Sequence, residues 1–526
     1  MYEYNLGLKF EQVVAQNAQR VALWFQPEKT VSYQQLNELA NRIARLLRER
    51  GLRAGDVVCL LGEKEPQTFA CMIACLKLGA VYSIIDPDSP LARLRKILGT
   101  CEPKILVGSA EFLERVAALT GELEIATEQT QTMNDSARGF DFANVAETAL
   151  VTGANPAYIM FTSGSTGFPK GALMTHANVI NLIEWSRETF NLTLDDVLTN
   201  VNPLYFDNSV FDFYSALFTG ASLVPFSKTE VNDPGTLVRK VDAAGCTLWF
   251  SVPSLLIFLQ TMKAADGKNL RSIRRFVFGG EGYPKAKLKG LFEAYSATSD
   301  LFNVYGPTEC TCICSSYKLS ARDFEDPQGL PPLGRIAPNF HFLILDDQNN
   351  LVRPGETGEL CLLGPNVGKG YYNDPERTAA SFIQNPLHNH FAELIYKTGD
   401  LARLNPTDGL LYIQGRQDNQ IKHLGYRIEL EEIEAALNCL DYVSEAAVLH
   451  ATVNGFSRII AIVSSTEPFA DRIRGDLKQI IPDYMVPSTF HEEAVLPKSA
   501  NGKIDRRALA ERYLPAAAQK EVAASE

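Results

Sequence analysis

Short apolar runs separated by helical stretches recur through most of this chain, and no other feature constrains its fold as tightly. Residues 57–61, 80–85, 157–161, 247–252, 275–278 and 301–304 each read as a buried strand. The helical stretches between several of them are marked in the sequence. Ser32 and Gln35 have capping-box spacing, Gly51 stands where a terminating glycine belongs, and Leu36, Leu39, Ile43, Leu46 and Leu47 form one apolar stripe. A second helical stretch covers residues 69–78. Apolar strands alternating with helices require parallel sheets covered on both faces. Ligands of such sheets sit beyond the carboxyl ends of the strands.

Past about Gly334 the pattern changes. Residues 340–372 hold short strand-like runs broken by Asp346-Asp347, Pro354-Gly355 and Gly364-Pro365, which predicts a β-rich subdomain. Near Asp418 a charged stretch precedes a helix-like segment, 429–440. Two further strand-like runs meet at Asn454-Gly455, a hairpin signal, and a helix is expected near 471–481. The chain therefore divides into a core, residues 1–416, and an α+β C-terminal domain, residues 417–526. The expected fold class is α/β, with a large N-terminal domain of two stacked, helix-covered sheets plus the β-rich subdomain.

At 526 residues the chain is too long for one ordinary core. With 46% hydrophobic and 21% charged residues it reads as a soluble globular protein. No apolar run approaches the roughly 18 residues of a membrane span, and Met1-Tyr2-Glu3-Tyr4 lacks a signal peptide's basic and apolar regions. The expectation is a cytoplasmic protein with no membrane partner. A formal net charge of −12 argues against nucleic acid, which needs a positive surface, but a few local donors still suffice for a small anion. Cys310, Cys312 and Cys314 alternate as on one face of a strand, unlike Cys-x2-Cys metal knuckles, and are read as structural thiols.

The stretch richest in chemistry is Phe161-Thr-Ser-Gly-Ser-Thr-Gly-Phe-Pro-Lys170-Gly171, directly after a predicted strand. Gly164, Gly167 and Gly171 let backbone approach a ligand closely. Thr162, Ser163, Ser165 and Thr166 supply hydroxyl donors and Lys170 supplies charge. Phe168-Pro169 separates glycine from lysine, so this is not the GxxxxGK(S/T) loop. The density of donors at a strand end points to phosphate.

This stretch resembles the signature loop of the adenylate-forming superfamily: acyl-CoA synthetases, luciferases and adenylation domains of nonribosomal peptide synthetases. The resemblance continues in family order over nearly the whole chain. It takes in Leu76–Tyr82 to Asp86-Pro87, Asn303-Val-Tyr-Gly-Pro-Thr-Glu309, Tyr396-Lys-Thr-Gly-Asp-Leu-Ala-Arg403, Gly415-Arg416 through Gly425-Tyr-Arg-Ile-Glu429, and Asn501-Gly-Lys-Ile-Asp-Arg506.

The resemblance implies residue roles. Thr162, Ser163, Gly164, Ser165, Thr166, Gly167 and Lys170 would hold ATP phosphates, with Gly306 and Thr308 of the fifth motif contributing. Glu309 would hold Mg2+ bridging those phosphates, a task for a hard oxygen ligand. Asp400 would accept from the ribose hydroxyls, Arg416 would bind the ribose or phosphate region, and Tyr305 would stack on adenine with Tyr412 nearby. Gly280 and Glu281 would lie where adenine approaches the backbone. Lys503 would be the catalytic residue, its ammonium offsetting the negative charge that builds as carboxylate meets α-phosphate. The family reorients a small mobile C-terminal domain between half-reactions. Asp418 matches its hinge, and Gly425 the lining of the pantetheine tunnel.

In amino-acid-activating members, the aspartate matching Asp207 pairs with the substrate's α-ammonium. The rest of the carried-over pocket is Asn208, Phe211, Phe250, Val277, Gly279, Val304, Cys312 and Ile313, with Lys503. This lining is mostly apolar and offers no charge to a side chain, which favours a medium aliphatic amino acid, isoleucine or valine. Asn208 departs from the small residue usual at its place. The chain has no Leu-Gly-Gly-x-Ser carrier motif and no His-His-x3-Asp-Gly condensation motif. The expected acceptor is phosphopantetheine on a separate carrier protein, the chain acting as a stand-alone ligase; the alternative is a piece of a larger synthetase. The alternatives are an acyl- or aryl-CoA ligase, distinguished by lacking the Asp207 carboxylate, and a catalytically silent nucleotide-binding scaffold, which need not keep Lys503, Glu309 and Asp400 together.

Overall fold

The computed structural model describes residues 4–164, 168–338, 340–453, 456–467, 472–498 and 504–514. Its centre is two sheets with helices packed between them. In the six-stranded sheet, Ile105–Gly108, Val57–Leu61, Val81–Ile85 and Pro156–Thr162 run parallel in that order. The edge strand Lys170–Thr175 is antiparallel to Pro156–Thr162. In the nine-stranded sheet, Val197–Asn200, Leu248–Ser251, Arg275–Gly279 and Asp300–Tyr305 run parallel and form the middle.

Two helices explain the stacking. In Pro66–Leu78 every residue from Thr68 onward is buried, and Asn208–Leu217 is buried throughout. A helix buried on all sides can be satisfied only between two layers. Their side chains share one hydrophobic core with Leu23 and Leu198 of one sheet and Val58 and Tyr82 of the other. The expected capping box of Tyr33–Glu49 is present: the Ser32 hydroxyl accepts from Gln35 N at 3.2 Å, and Gln35 Oε1 accepts from Ser32 N at 2.8 Å.

The β-rich subdomain is a five-stranded antiparallel sheet, including Thr357–Leu363, Leu394–Leu404 and Leu411–Arg416. Beyond it, Gln420–His423 and Tyr426–Glu429 form a two-stranded hairpin, followed by the helix Leu430–Asn438. A three-stranded sheet then combines Val443–Val453, Phe456–Ser465 and Thr489–Glu492. This region has its own core, built on Ile433, Val448, Ala461 and Leu477. Asn454 and Gly455 lie outside the described residues, between strands that pair Val453 with Phe456.

Two local expectations are corrected. Of the helix expected near 471–481, the described residues, which resume at Arg472, form only Ile473–Leu477; it buries both terminal side chains one turn apart. The three alternating cysteines do not share a strand. Cys310 ends a 3-10 turn, and Thr311 and Cys312 take φ values of +61° and +73°, which strand geometry excludes. The turn folds back over Gly306, where a Cβ would lie 2.3 Å from the Cys312 carbonyl oxygen. All three thiols are free and buried.

Candidate active site

Strand ends from both sheets, two strands of the β-rich subdomain and the hairpin 420–429 converge on one cleft. The end expected to take phosphate begins where Pro156–Thr162 finishes. The Thr162 hydroxyl is buried with no hydrogen-bond partner among the described residues, and Ser163 is 3% exposed. Lys170 begins the returning strand, and burial pushes its ammonium below the ordinary lysine range. Ser165, Thr166 and Gly167 lie outside the described residues.

Opposite stands Glu309, fully buried. Tyr371 donates to its Oε1 at 2.8 Å, and the Arg427 guanidinium donates to Oε2 at 2.7 Å. Burial acts to raise this carboxyl, but Arg427, Lys170 and the Tyr371 hydroxyl outweigh it and hold it at about 2. A single ionised carboxylate facing a phosphate-type loop suits Mg2+, which takes one or two carboxylates and completes its shell with phosphates and water. In this structure the cation on Glu309 is the Arg427 guanidinium.

At the end expected to take the nucleoside, Tyr305 donates its hydroxyl to Asp400 Oδ2 at 2.6 Å, and Arg416 binds the other oxygen. Burial tends to raise Asp400, and Arg416 with Lys422 reverses the shift to below the usual carboxylate range. Arg416 also grips Asp418 in a fork, Nε to Oδ1 at 2.5 Å and Nη2 to Oδ2 at 2.7 Å. Gly280 and Glu281 line the same cleft. Glu281 Oε2 accepts from Ser254 N at 3.2 Å, and its other oxygen accepts from Gly425 N. Tyr412 is not part of this end. Its hydroxyl bonds Asp408 at 2.8 Å, and the alternation of the strand turns Ile413 into the cleft instead.

The third compartment opens at Asp207, whose Oδ2 accepts from Thr308 Oγ1 at 2.5 Å. Burial raises this carboxyl, with the Thr308 bond working against it. Such a group gains most from an arriving cation. Asn208, Phe250, Val304, Cys312 and Ile313 line the pocket with it, and Gly306 and Thr308 sit at the junction with the phosphate end. Phe211, Val277 and Gly279 form the layer behind. The Phe211 ring meets Phe250 edge-on at 4.9 Å, and Val277 is fully buried. Lys503, the expected catalytic residue, lies outside the described residues.

Sequence reasoning gave no role to Lys422, Arg427, Glu429 and Glu432, although Arg427 and Glu429 stand in a quoted motif. Lys422 stands over the Tyr305 ring, 5.6 Å from its centroid. The available signal was period-two alternation in 420–429: the pairs Gln420–Glu429 and Lys422–Arg427 lie opposite each other in the hairpin.

Comparison with known proteins follows the same outline. The family model of the AMP-binding enzymes matches residues 10–372, and that of the AMP-binding enzyme C-terminal domain matches 432–503. The chain is 34% identical over 505 residues to a dimodular nonribosomal peptide synthase of Bacillus subtilis (strain 168), covering 95% of this chain and 20% of that protein. It is 34% identical over 513 residues to tyrocidine synthase 3 of Brevibacillus parabrevis, covering 95% of this chain and 7% of that protein. The chain thus spans a fifth or less of the length of these curated relatives. In fold it is similar to NpsA-ThdA, an artificially fused adenylation-PCP di-domain NRPS from Klebsiella oxytoca. The TM-score is 0.81 at 22% identity, over 99% of this chain and 100% of the other. With most of its length matched by the family model, the chain belongs to the AMP-binding enzymes.

Proposed function

We propose that this enzyme activates an amino acid with ATP and then passes it to a carrier protein. A carboxylate oxygen of the amino acid attacks the α-phosphorus. The new P–O bond forms as the bond to the β-phosphate bridging oxygen breaks, and pyrophosphate leaves with the electron pair. The resulting aminoacyl-AMP is attacked at its acyl carbon by the phosphopantetheine thiol of the carrier, and AMP departs. Mg2+ held on Glu309 would neutralise phosphate charge, and Lys503 would stabilise the first transition state.

The observation that carries this reading is the 2.5 Å bond from Thr308 to Asp207, because Thr308 directly precedes Glu309. A site for a substrate ammonium and a site for a phosphate-bound cation are thereby joined through adjacent residues. The apolar remainder of the pocket supports an aliphatic substrate, isoleucine or valine, with the Asn208 carboxamide beside Gly280 as its polar exception. The division at 416/417, the hinge at Asp418, a carrier supplied as a separate chain and a cytoplasmic setting belong to the same proposal. Among the described residues, no helix is long and apolar enough to cross a membrane.

Pyrophosphate exchange measured across the proteinogenic amino acids, benzoate and a short fatty acid tests the proposal. Strong exchange with isoleucine or valine is the expected result. Exchange with benzoate or the fatty acid alone overturns the role given to Asp207 and makes this a CoA-ligase-type enzyme.

A further inference from the structure

The stretch 206–212 supplies Asp207 and Asn208 to the pocket, and its last residue, Asp212, has no part in the proposed reaction. Asp212 follows Phe211 in the helix Asn208–Leu217 and is fully buried. Its Oδ2 accepts from the carboxamides of Asn200 and Asn202, each at 3.0 Å. Asn202 Nδ2 also donates to the Phe250 carbonyl at 3.0 Å. Phe250 lines the pocket, and its ring meets Phe211 edge-on. The contacts thus close a circuit from the helix through Asn202 to the strand Leu248–Ser251 and back to the helix. From the six-stranded sheet, Lys64 follows the strand Val57–Leu61 and donates to the Asn200 carbonyl at 2.5 Å.

Packing alone does not call for a carboxylate here. Burial raises the Asp212 carboxyl, with Asn200, Asn202 and Lys64 working against that. Its Oδ1 is buried with no hydrogen-bond partner among the described residues, a cost to stability. What the charge supplies is direction. An ionised carboxylate only accepts, so both carboxamides must turn their N–H groups toward it. Asn202 then has one N–H left, and it falls on the Phe250 carbonyl. With a neutral carboxamide at 212, Asn202 is free to flip and set its own oxygen against that carbonyl. We propose that Asp212 is a positioning residue for the amino-acid pocket: it fixes the Asn202 carboxamide and, through it, the Phe250 wall that selects substrates by size. This rests on the reading of the Asp207 compartment as the amino-acid pocket.

Pyrophosphate-exchange kinetics on the whole chain test this with Asp212→Asn, Asn202→Leu and the double variant. Each single variant should raise KM for the amino acid about 10-fold, the scale of one lost hydrogen bond to a charged group. ATP affinity and kcat should change little. The ratio of kcat/KM for valine to that for phenylalanine should fall, because a wall free to move no longer rejects the larger side chain. The double variant should lose no more than either single one, since both act on the same contact. A fall in kcat at unchanged KM, losses that add, or an unchanged ratio overturns the proposal and leaves Asp212 a buried structural group. A second arm keeps the test decisive should the single variants fold poorly. Asn202→Asp combined with Asp212→Asn restores a bond between the two positions but leaves the Phe250 carbonyl without its donor. Stability to urea should recover toward the wild type while the ratio does not; recovery of both together overturns the proposal. A wild type that exchanges with benzoate or a fatty acid alone overturns the reading of Asp207 instead, so the two failures are told apart.

Discussion

Tyr305 and Asp400, 95 positions apart in sequence, share a 2.6 Å hydrogen bond that joins the nine-stranded sheet to the β-rich subdomain across the cleft. Arg416 holds the other carboxylate oxygen, so Asp400 is ionised and fixed in direction before any ligand arrives. Asp400→Asn should weaken ATP binding about 10- to 150-fold, the range for losing a hydrogen bond to a charged group. Tyr305→Phe keeps the ring and should cost about 10-fold or less. Equilibrium binding of ATP to both variants checks this. Equal losses would show that the Tyr305–Asp400 hydrogen bond, rather than the carboxylate's own contact with ATP, dominates.

Asp207→Asn retains an acceptor for Thr308 but removes the charge meant for an ammonium. KM for the amino acid should rise about 100-fold, with ATP affinity changed little, since a buried partner charge contributes about 2–5 kcal/mol. Exchange rates against amino-acid concentration give the answer.

At Gly279, an added Cβ would lie 2.5 Å from the Val304 carbonyl oxygen and 2.7 Å from Val304 Cγ2. Gly279→Ala must therefore push Val304 into the pocket. A stability loss of about 1–3 kcal/mol is expected from overpacking, with a larger loss of exchange for branched substrates than for alanine. Urea unfolding and a substrate panel measure the two effects.

His176 offers a pH-dependent test. Its Nδ1 accepts from Leu6 N at 3.0 Å, and burial lowers its pKa from 6.5 to about 3. A depressed folded-state pKa means that the unfolded chain takes up the proton first. The contribution is thus complete above pH 6.5 and is lost as pH falls toward 3, at about 1.4 kcal/mol per unit. Denaturant midpoints across that window should fall in the wild type and flatten in His176→Asn, which keeps an acceptor for Leu6.

Lys503→Ala should slow adenylation roughly 100- to 1000-fold, the scale for losing one preorganised stabilising group. Transfer from supplied aminoacyl-AMP to the carrier should be unchanged. A variant equally slow in both reactions would deny Lys503 its special place in the first.

Periodicity and glycine placement in the chain were enough to determine the alternating strands and helices, the capping box at Ser32 and the phosphate-type loop at 161–171. Each depends on neighbours in sequence: apolar residues repeat at the helical or strand period, and Ser32 and Gln35 meet three residues apart. Motif order further made Glu309, Asp400 and Asp207 legible as candidates, although they stand in different local settings: a 3-10 turn, the strand Leu394–Leu404 and the N-cap of Asn208–Leu217. Only the tertiary structure decided their partners. Arg427 on Glu309, Glu432 on Arg93 and Gly164, and Thr308 on Asp207 are contacts across 118, 339, 268 and 101 positions. No local pattern encodes such pairings. They follow from which sheet edges and helices pack together, and from the cost of leaving a buried charge without its opposite. The same reason corrected the cysteine strand and Tyr412: alternation in sequence does not show where a turn will break it or which face of a strand will meet the cleft.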